Sequence, residues 1–287
     1  MAAMPIRSIL THPGSAHKDE FLACCVLAAI HGCEIVRREP TQADLDDPDI
    51  AVVDVGDEHA PGRANFDHHQ FPPDHAPLCA LSLVLQHLGC YDDARQFCDW
   101  LETTERLDVT GPRSTAAWLG ISPETLSKLN SPVDITLLRR FAASSEIQPA
   151  TPLHEVMTWI GSDLLEYLRS LRERLDFIAH HAEIWDLDGL KILFLPRTEP
   201  LPDDPSAGLG RHLEVMGIAG EVAGLVYPDR RGGGYGLSRF RDSPRLDFTR
   251  LTMEADVHFA HARGFVAKSS ATLVSRLREL LALARVD

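Results

Sequence analysis

Basic residues are scarce in this chain. Lys and Arg number 28 against 42 Asp and Glu, which gives a formal net charge of −14. A protein that coats nucleic acid without sequence preference needs clustered cations for its phosphate contacts, so this balance argues against that role. It does not exclude a phosphate-bearing substrate, because divalent ions and a local arginine patch can reverse the field inside one cleft.

Membrane-directing segments and three common catalytic motifs are also lacking. No run approaches 18 consecutive apolar residues, and residues 1–10 show no signal-peptide pattern. The motifs G-x-x-x-x-G-K-[ST], G-x-S-x-G and H-E-x-x-H do not occur, which removes the commonest NTPase, serine-hydrolase and zincin interpretations. The six cysteines form no C-x-x-C pair. We therefore expect reduced core cysteines and a cytoplasmic protein that does not bind membranes.

Strand and helix patterns alternate in the first part of the chain. Strands are predicted at 6–11, 34–38 and 50–56, with a buried helix at 20–30. This βαβ order predicts a parallel sheet whose strand ends open a ligand crevice. Further helices are predicted at 78–88, 92–106, 122–130, 137–144 and, the longest, 152–181.

Strands return after residue 182, at 184–187, 190–196, 222–227 and 235–240, before a final helix at 271–284. The length of 287 residues favours two domains of ordinary size. We predict an α/β protein with a parallel-sheet N-terminal domain at residues 1–150. A long connecting helix at 151–181 then leads to a smaller α+β domain at 182–287.

Histidine and aspartate side chains gather at or just after the predicted strand ends. They are His12, His17, Asp19, Asp54 and the triplet Asp67-His68-His69. Imidazole nitrogens beside carboxylate oxygens suit a borderline cation such as Mn²⁺ or Zn²⁺. Asp54 is predicted to lie at the end of a central strand, where burying an unpaired carboxylate without a bound cation would cost free energy. Taken alone, the triplet fits a polar surface turn equally well.

One further acidic ligand is expected from the predicted helix that precedes Gly111. Glu102, Glu105 and Asp108 are the candidates, and we favour Asp108 at the end of that helix. Glu105 lies on the same face one turn earlier. An amphipathic helix also carries acids on its solvent face, so the choice among the three stays open.

A basic, glycine-rich segment in the second half could bind phosphate. Arg231, Gly233, Arg239 and Arg241 lie within it, close to Tyr235 and Phe240. Glycine amides can approach an anion, arginines can pair with it, and aromatic rings can stack on a base. The alternative is a β-hairpin with glycines in its turn and solvated arginines.

Together these motifs resemble the DHH phosphoesterase superfamily, and most closely its MYG1 (UPF0160) branch. The branch motif Thr-His-x-Gly-x-x-His-x-Asp-Glu corresponds to residues 11–20, and Asp-Val-Gly and Asp-His-His-Gln follow at 54–56 and 67–70. Residues 259–265 are similar to the branch's His-Ala-Ser-Gly-Phe signature. Two positions depart from the pattern: His17 replaces the superfamily's carboxylate, and Asp108-Val109-Thr110-Gly111 replaces Asp-Asn-Gly.

The resemblance implies a DHH-type catalytic domain followed by a substrate-binding domain. It implies two Mn²⁺ ions, with Mg²⁺, Co²⁺ and Zn²⁺ as other options, and a second histidine, His69, that touches the scissile phosphate. The implied ligands are His12, His17, Asp19, the bridging Asp54, His68 and Asp108. By the same resemblance, His261 and Gly264 would face the cleft. Together with Arg231, Gly233, Arg239 and Arg241 of the basic segment, they are the predicted substrate-binding residues.

We therefore predict a metal-dependent phosphoesterase in which Asp54 and His69 are catalytic. The resemblance favours a 3′–5′ exonuclease acting on short RNA. One alternative is hydrolysis of a small nucleotide, dinucleotide or pyrophosphate, which the negative net charge favours somewhat. Another is a metal-stabilised regulatory protein without turnover. The oligomeric state stays open, with a homodimer as one option.

Overall fold

The computed structural model describes residues 6–286 and divides into two compact units, the first ending at Arg169 and the second beginning at Ser170. The elements of the first unit are β1 Ser8–Thr11, α1 Lys18–His31, β2 Glu34–Arg37, α2 Gln42–Asp46, β3 Ile50–Val53, β4 His59–Ala60, β5 Asn65–Phe66, α3 Ala80–His87, α4 Tyr91–Phe97, α5 Asp99–Trp118, α6 Pro123–Ser127, α7 Pro132–Ala142 and β6 Glu146–Ile147. Helix α8, Pro152–His181, begins in this unit and ends in the next.

The first sheet has the strand order β4-β5-β3-β1-β2-β6. Strands β5, β3, β1 and β2 are parallel, and the short edge strands β4 and β6 are antiparallel. All four residues of β3 are buried, as expected of a central strand covered on both faces. The predicted parallel N-terminal sheet is confirmed. Because the strands are parallel, their carboxyl ends lie at one edge of the sheet.

Helix α1 crosses from β1 to β2 and forms the centre of the first unit's helical layer. Glu20 accepts a hydrogen bond from the backbone N–H of His17 at 3.3 Å, which satisfies one group at the start of the helix. Gly32 ends α1 in the left-handed conformation at φ 63°. A Cβ atom placed on Gly161 of α8 would lie 2.0 Å from the carbonyl oxygen of Cys25. Only glycine permits this close approach of the two helices.

The second unit contains a mixed sheet with the order β11-β12-β10-β9-β8-β7. Its elements are β7 Glu183–Leu187, β8 Leu190–Phe194, α9 Leu209–Val215, β9 Val222–Pro228, β10 Tyr235–Arg239, β11 Val257–Ala260, β12 Val266–Ser269 and α10 Val274–Ala284. Leu277, Leu280 and Leu281 of α10 are fully buried in the core formed with this sheet. The predicted α/β class, with a smaller α+β second region, is confirmed.

Several predicted boundaries were wrong. The helix predicted at 92–106 is two helices, α4 and α5, and α5 is interrupted at Gly111, whose backbone is not helical. The segment between the second and third predicted strands contains an additional helix, α2, which begins after a Thr41 cap. The strand predicted at 50–56 ends at Val53, because Asp54 takes a left-handed backbone with φ 57°. The predicted long helix at 152–181 is observed, whereas the functional roles of the two regions stay predictions.

The cysteines form no disulfide within the described residues, and all but Cys90 are buried, as predicted. Burial raises the pKa of the thiols of Cys24, Cys25 and Cys79, which keeps them protonated. The helices of residues 6–286 are too short or too polar to cross a bilayer.

Candidate metal centre

The carboxyl ends of three parallel strands bring the predicted ligand segments to one edge of the first sheet. His12 follows β1, Asp54 follows β3, and the triplet 67–69 follows β5. The start of α1 adds His17 and Asp19, and α5 adds Asp108. Segments far apart in sequence therefore meet in a single cluster, at the edge where ligands bind in parallel sheets.

His12, His17 and Asp54 form a first possible ligand set, in which one donor atom of each lies within 4.8 Å of the others. His12 Nε2 is 3.5 Å from Asp54 Oδ2. The other ring nitrogen of His12, Nδ1, lies 2.9 Å from the carbonyl oxygen of Pro13, which accepts its hydrogen. That bond directs Nε2 towards Asp54 and Glu20, and a carbonyl that holds the other ring nitrogen is typical of metal-ligating histidines.

Asp19, Asp54, His68 and Asp108 form a second possible ligand set within the same distance limit of 4.8 Å. His68 Nε2 lies 3.1 Å from Asp54 Oδ1 and 3.0 Å from Asp108 Oδ2. Asp54 is common to both sets and to a third, smaller one with His68 and His69. Its two oxygens face different histidines, His12 and His68. This arrangement suits a carboxylate that bridges two cations.

The donor atoms of this cluster are buried and face one another, but they make no hydrogen bond of regular geometry among the described residues. They are both carboxylate oxygens of Asp54, Asp19 Oδ1, His12 Nε2 and His68 Nε2. Burying unsatisfied polar atoms costs several kcal/mol in apolar surroundings, and the cost for an unpaired charge is greater. Nitrogen and oxygen donors aimed at a shared space therefore fit divalent cations of the Mn²⁺ or Zn²⁺ type.

Electrostatic coupling within the cluster is strong. Burial raises the pKa of Asp19 well above its usual value, and the nearby Asp54 and Asp108 raise it further. Contacts with Asp54 and Glu20 raise the pKa of His12 to about 10. Burial alone would lower the pKa of His68, but Asp108 and Asp54 raise it to about 10. In the absence of a cation, protons on the histidines balance the carboxylates, so metal and protons compete for the same atoms.

Asp67 organises the triplet and is not part of either ligand set. Its Oδ1 accepts the backbone N–H groups of His68 at 2.7 Å and His69 at 3.1 Å. The same oxygen lies 2.7 Å from His69 Nδ1, and Oδ2 accepts the N–H of Asp57 at 2.7 Å. With Nδ1 held by Asp67, the His69 ring has Nε2 available, and its side chain is 57% exposed. The DHH turn therefore buries one imidazole and presents the next to solvent.

The structure distinguishes the three acidic candidates on α5. Asp108 lies beside His68, and its Oδ1 is 3.5 Å from His17 Nδ1. Glu105 is buried elsewhere and accepts hydrogen bonds from Ser82, Tyr91 and Arg95 at 2.7 to 2.9 Å. Glu102 pairs with Arg106 at 3.1 Å. Of the three, Asp108 alone joins a possible ligand set.

Two supporting residues were not recognised from the sequence. Glu20 contributes to the cap of α1, but it is also fully buried and its other oxygen contacts His12. Arg37 was not singled out at all, yet it is buried and donates to Glu20 at 3.2 Å. Its guanidinium also donates to the carbonyls of Gly14 at 3.3 Å and Ser15 at 2.9 Å. Arg37 and Glu20 thereby hold the loop that carries His12 and His17.

The predicted substrate-binding residues of the second unit are divided between the two ends of β10. Arg231 and Gly233 precede this strand, whereas Arg239 ends it and Arg241 follows. Five strand residues span about 17 Å. Arg239 lies against the turn that carries His261 and Gly264, since a Cβ on Gly264 would be 3.0 Å from its guanidinium. Arg241 pairs with Glu214 at 2.8 Å. The structure therefore groups Arg239 with the 261–264 turn and leaves Arg231 and Gly233 apart.

Comparison with known proteins finds relatives of the N-terminal segment. Residues 8–90 match the MYG1_exonuc family, described as "Uncharacterised protein family (UPF0160)". The MYG1 exonuclease of Rattus norvegicus is 44% identical over 75 residues, which is 24% of this chain and 19% of that protein. The MYG1 exonuclease of Homo sapiens is 48% identical over 64 residues, 21% of this chain and 16% of that protein. The chain thus matches less than a fifth of these relatives' length.

Two solved structures align over most of the chain, but with low scores. One is a pGpG-specific phosphodiesterase, PggH, from Vibrio cholerae, at 13% identity and a TM-score of 0.31, covering 96% of this chain and 98% of that chain. The other is the DHH domain of a member of the s1p family of ribosomal proteins, at 13% identity and a TM-score of 0.32, covering 96% and 85%. Scores this low support no argument about function. The matches to residues 8–90 confirm the predicted resemblance: this segment is similar to the MYG1 (UPF0160) family.

Proposed function

We propose that the chain is a metal-dependent phosphoesterase that hydrolyses phosphodiester bonds. The observation that carries this proposal is the position of Asp54, which belongs to both ligand sets and has both oxygens buried without a partner among the described residues. A carboxylate shared between two adjoining sets is what a two-cation hydrolytic centre requires. The name of the matched relatives, MYG1 exonuclease, supports the same reaction class.

The residues present fit two divalent cations. His12, His17 and Asp54 would hold one, and Asp19, Asp54, His68 and Asp108 would hold the other. When bound, two such cations activate water and offset the charge that develops at phosphorus. Mn²⁺ suits this mixture of imidazole and carboxylate, with Mg²⁺, Co²⁺ and Zn²⁺ as the alternatives to be tested.

His69 has the geometry of a group that contacts the scissile phosphate. Asp67 accepts the hydrogen of its Nδ1, so the exposed Nε2 can exchange a proton with a phosphate oxygen or a leaving group. A cavity of about 560 Å³ adjoins His69 and contains His12, His17 and Asp54 in its wall. Asp67 would act as a positioning residue, because it orients this imidazole.

For the substrate, we propose a 3′–5′ exonuclease acting on short RNA. The exonuclease name of the relatives favours a nucleic acid, and the net charge of −14 favours a short one over a long polyanion. Hydrolysis of a dinucleotide or another small nucleotide is the second candidate, because such a substrate needs few basic residues outside the cleft. A regulatory protein without turnover is the third.

A hydrolysis screen tests the proposal. Metal-stripped protein is supplied with each divalent ion separately and offered 5′-labelled short RNA and DNA, linear and cyclic dinucleotides, mononucleotides and pyrophosphate. Stepwise shortening of RNA from its 3′ end that requires Mn²⁺ is the expected result. Cleavage of small substrates alone would select the second candidate, and no cleavage of any substrate by metal-loaded protein would contradict a phosphoesterase.

A further inference from the structure

A second cavity adjoins the metal centre on its α-helical side, within the first unit. It has a volume of about 370 Å³, near the lower end of the range for small-molecule sites. Its walls include His17, Asp19 and Asp108, which belong to the two ligand sets. Any group that occupies this cavity is therefore in direct reach of a phosphate held at the centre.

The remaining walls of this cavity are largely apolar. Leu107 of α5 and Leu138 of α7 line it together with Ala16 and Thr104. The Thr104 hydroxyl donates to the carbonyl of Trp100 at 3.1 Å, so its hydrogen is already used within α5. Leu107 is 37% exposed although it adjoins the most polar cluster of the unit. Because the exposed walls of this cavity are apolar and lie next to buried charges, a ligand with apolar faces would cover them best.

Charge distinguishes this cavity from the larger one. The 560 Å³ cavity is lined by Glu39, Asp54, Asp57 and Asp67, with no Lys or Arg among its lining residues. The 370 Å³ cavity contains Lys18, whose ammonium group is 3.2 Å from Asp134 and 6.0 Å from the centre of the Trp100 ring. The 370 Å³ cavity therefore offers an anionic substrate a cationic side chain that the 560 Å³ cavity lacks.

We propose that the 370 Å³ cavity holds the nucleobase of the nucleotide whose phosphate lies at the metal centre. A nucleobase has apolar faces that Leu107 and Leu138 can cover. Its attached phosphate would lie at the cations that His17, Asp19 and Asp108 would help to hold. This inference rests on the proposed phosphoesterase function and adds a nucleoside, as opposed to a plain phosphorylated sugar, as the recognised part of the substrate.

Equilibrium binding tests this inference without turnover. Calorimetry of the Mn²⁺-loaded full chain is performed with adenosine 5′-monophosphate and with ribose 5-phosphate, which lacks the base. We expect wild-type protein to bind the nucleotide about tenfold more tightly. Leu107→Ala and Leu138→Ala should each reduce this preference, and the double variant should bring it within about twofold while leaving ribose 5-phosphate affinity unchanged.

Val133→Ala provides the matched control, because Val133 also lies on α7 but is 63% exposed and outside the cavity. Circular dichroism melting checks that each variant folds. If the double variant does not fold, the two single variants provide the test. Equal binding of the two ligands by wild-type protein, no nucleotide binding, or a preference that survives both leucine changes would overturn the inference. A base preference without hydrolysis in the screen would retain the cavity assignment while contradicting the phosphoesterase proposal.

Discussion

Two polar regions of the molecule differ in how far the fold satisfies their hydrogen-bonding groups. One is the histidine–aspartate cluster of the first unit, and the other is the arginine-rich segment of the second unit. In the first unit, five donor atoms of Asp19, Asp54, His12 and His68 are buried without hydrogen-bond partners among the described residues. In the arginine-rich segment of the other unit, the guanidinium of Arg241 is paired with Glu214. Polar groups that the fold leaves unsatisfied indicate a ligand, whereas satisfied ones indicate structure.

Arg239 is the exception within the arginine-rich segment. Its Nε is buried without a partner among the described residues, and its guanidinium is 3.7 Å from Asp247 Oδ1. Since groups that the fold leaves unsatisfied indicate a ligand, Arg239 is the strongest substrate-binding candidate of that segment, and the paired Arg241 is among the weakest. The following predictions test the contrast between unsatisfied and satisfied groups, beginning with the largest expected effect.

Replacing Arg37 with Met should destabilise the protein by about 3–5 kcal/mol, because Glu20 would then be a buried and uncompensated charge. Arg38→Met is the control: Arg38 also pairs with an acid, but its side chain is 48% exposed, so the expected loss is below about 1 kcal/mol. Urea denaturation measures both. Equal losses in the two variants would show that Arg37 does not support the loop of His12 and His17 as described.

Replacing Asp54 with Asn should lower hydrolysis by more than about 100-fold, since changes even in the outer shell of metal sites cost 10- to 100-fold. Asn tolerates the left-handed backbone of Asp54, so the fold should be retained. Asp188→Asn changes an aspartate with a similar φ of 53° in a turn of the second unit and should leave the rate unchanged. A rate within threefold of wild type for Asp54→Asn would contradict its bridging role.

Replacing Arg239 with Ala should raise the KM for short RNA roughly tenfold, which corresponds to about 1.4 kcal/mol for one lost charge-assisted contact. Arg241→Ala should change the KM less than about twofold, because that guanidinium is already engaged by Glu214. Steady-state kinetics with the metal-loaded variants provides the comparison. The same increase in both variants would mean that pairing within the fold does not identify the substrate-binding arginines.

Much of the first unit could be predicted from its sequence because the signals are local. Apolar runs, the helix between them and Gly32 after His31 are sufficient for a βαβ unit, and parallel strands necessarily bring their carboxyl ends to one edge. His12, Asp54 and His68 could therefore be grouped before any distance was known. The division of the chain at Arg169, inside one continuous helix, has no local signal.

The remaining features depend on contacts between distant residues. Glu102, Glu105 and Asp108 lie on one helix, and only the approach of His68 distinguishes Asp108. Arg37 resembles an ordinary strand residue until the carbonyls of Gly14 and Ser15 are found beside it. Closeness in sequence was misleading for Arg231 and Arg239, because the extended strand β10 separates them.

The most direct test of the central claim is the number of Mn²⁺ ions that the metal-stripped chain binds, measured by calorimetric titration together with elemental analysis. We expect two ions for wild-type protein. His17→Ala, which affects the first ligand set, and Asp19→Asn, which affects the second, should each bind one ion, whereas Asp54→Asn should weaken the binding of both. Absence of bound metal in wild-type protein, or two ions of unchanged affinity in Asp54→Asn, would contradict it.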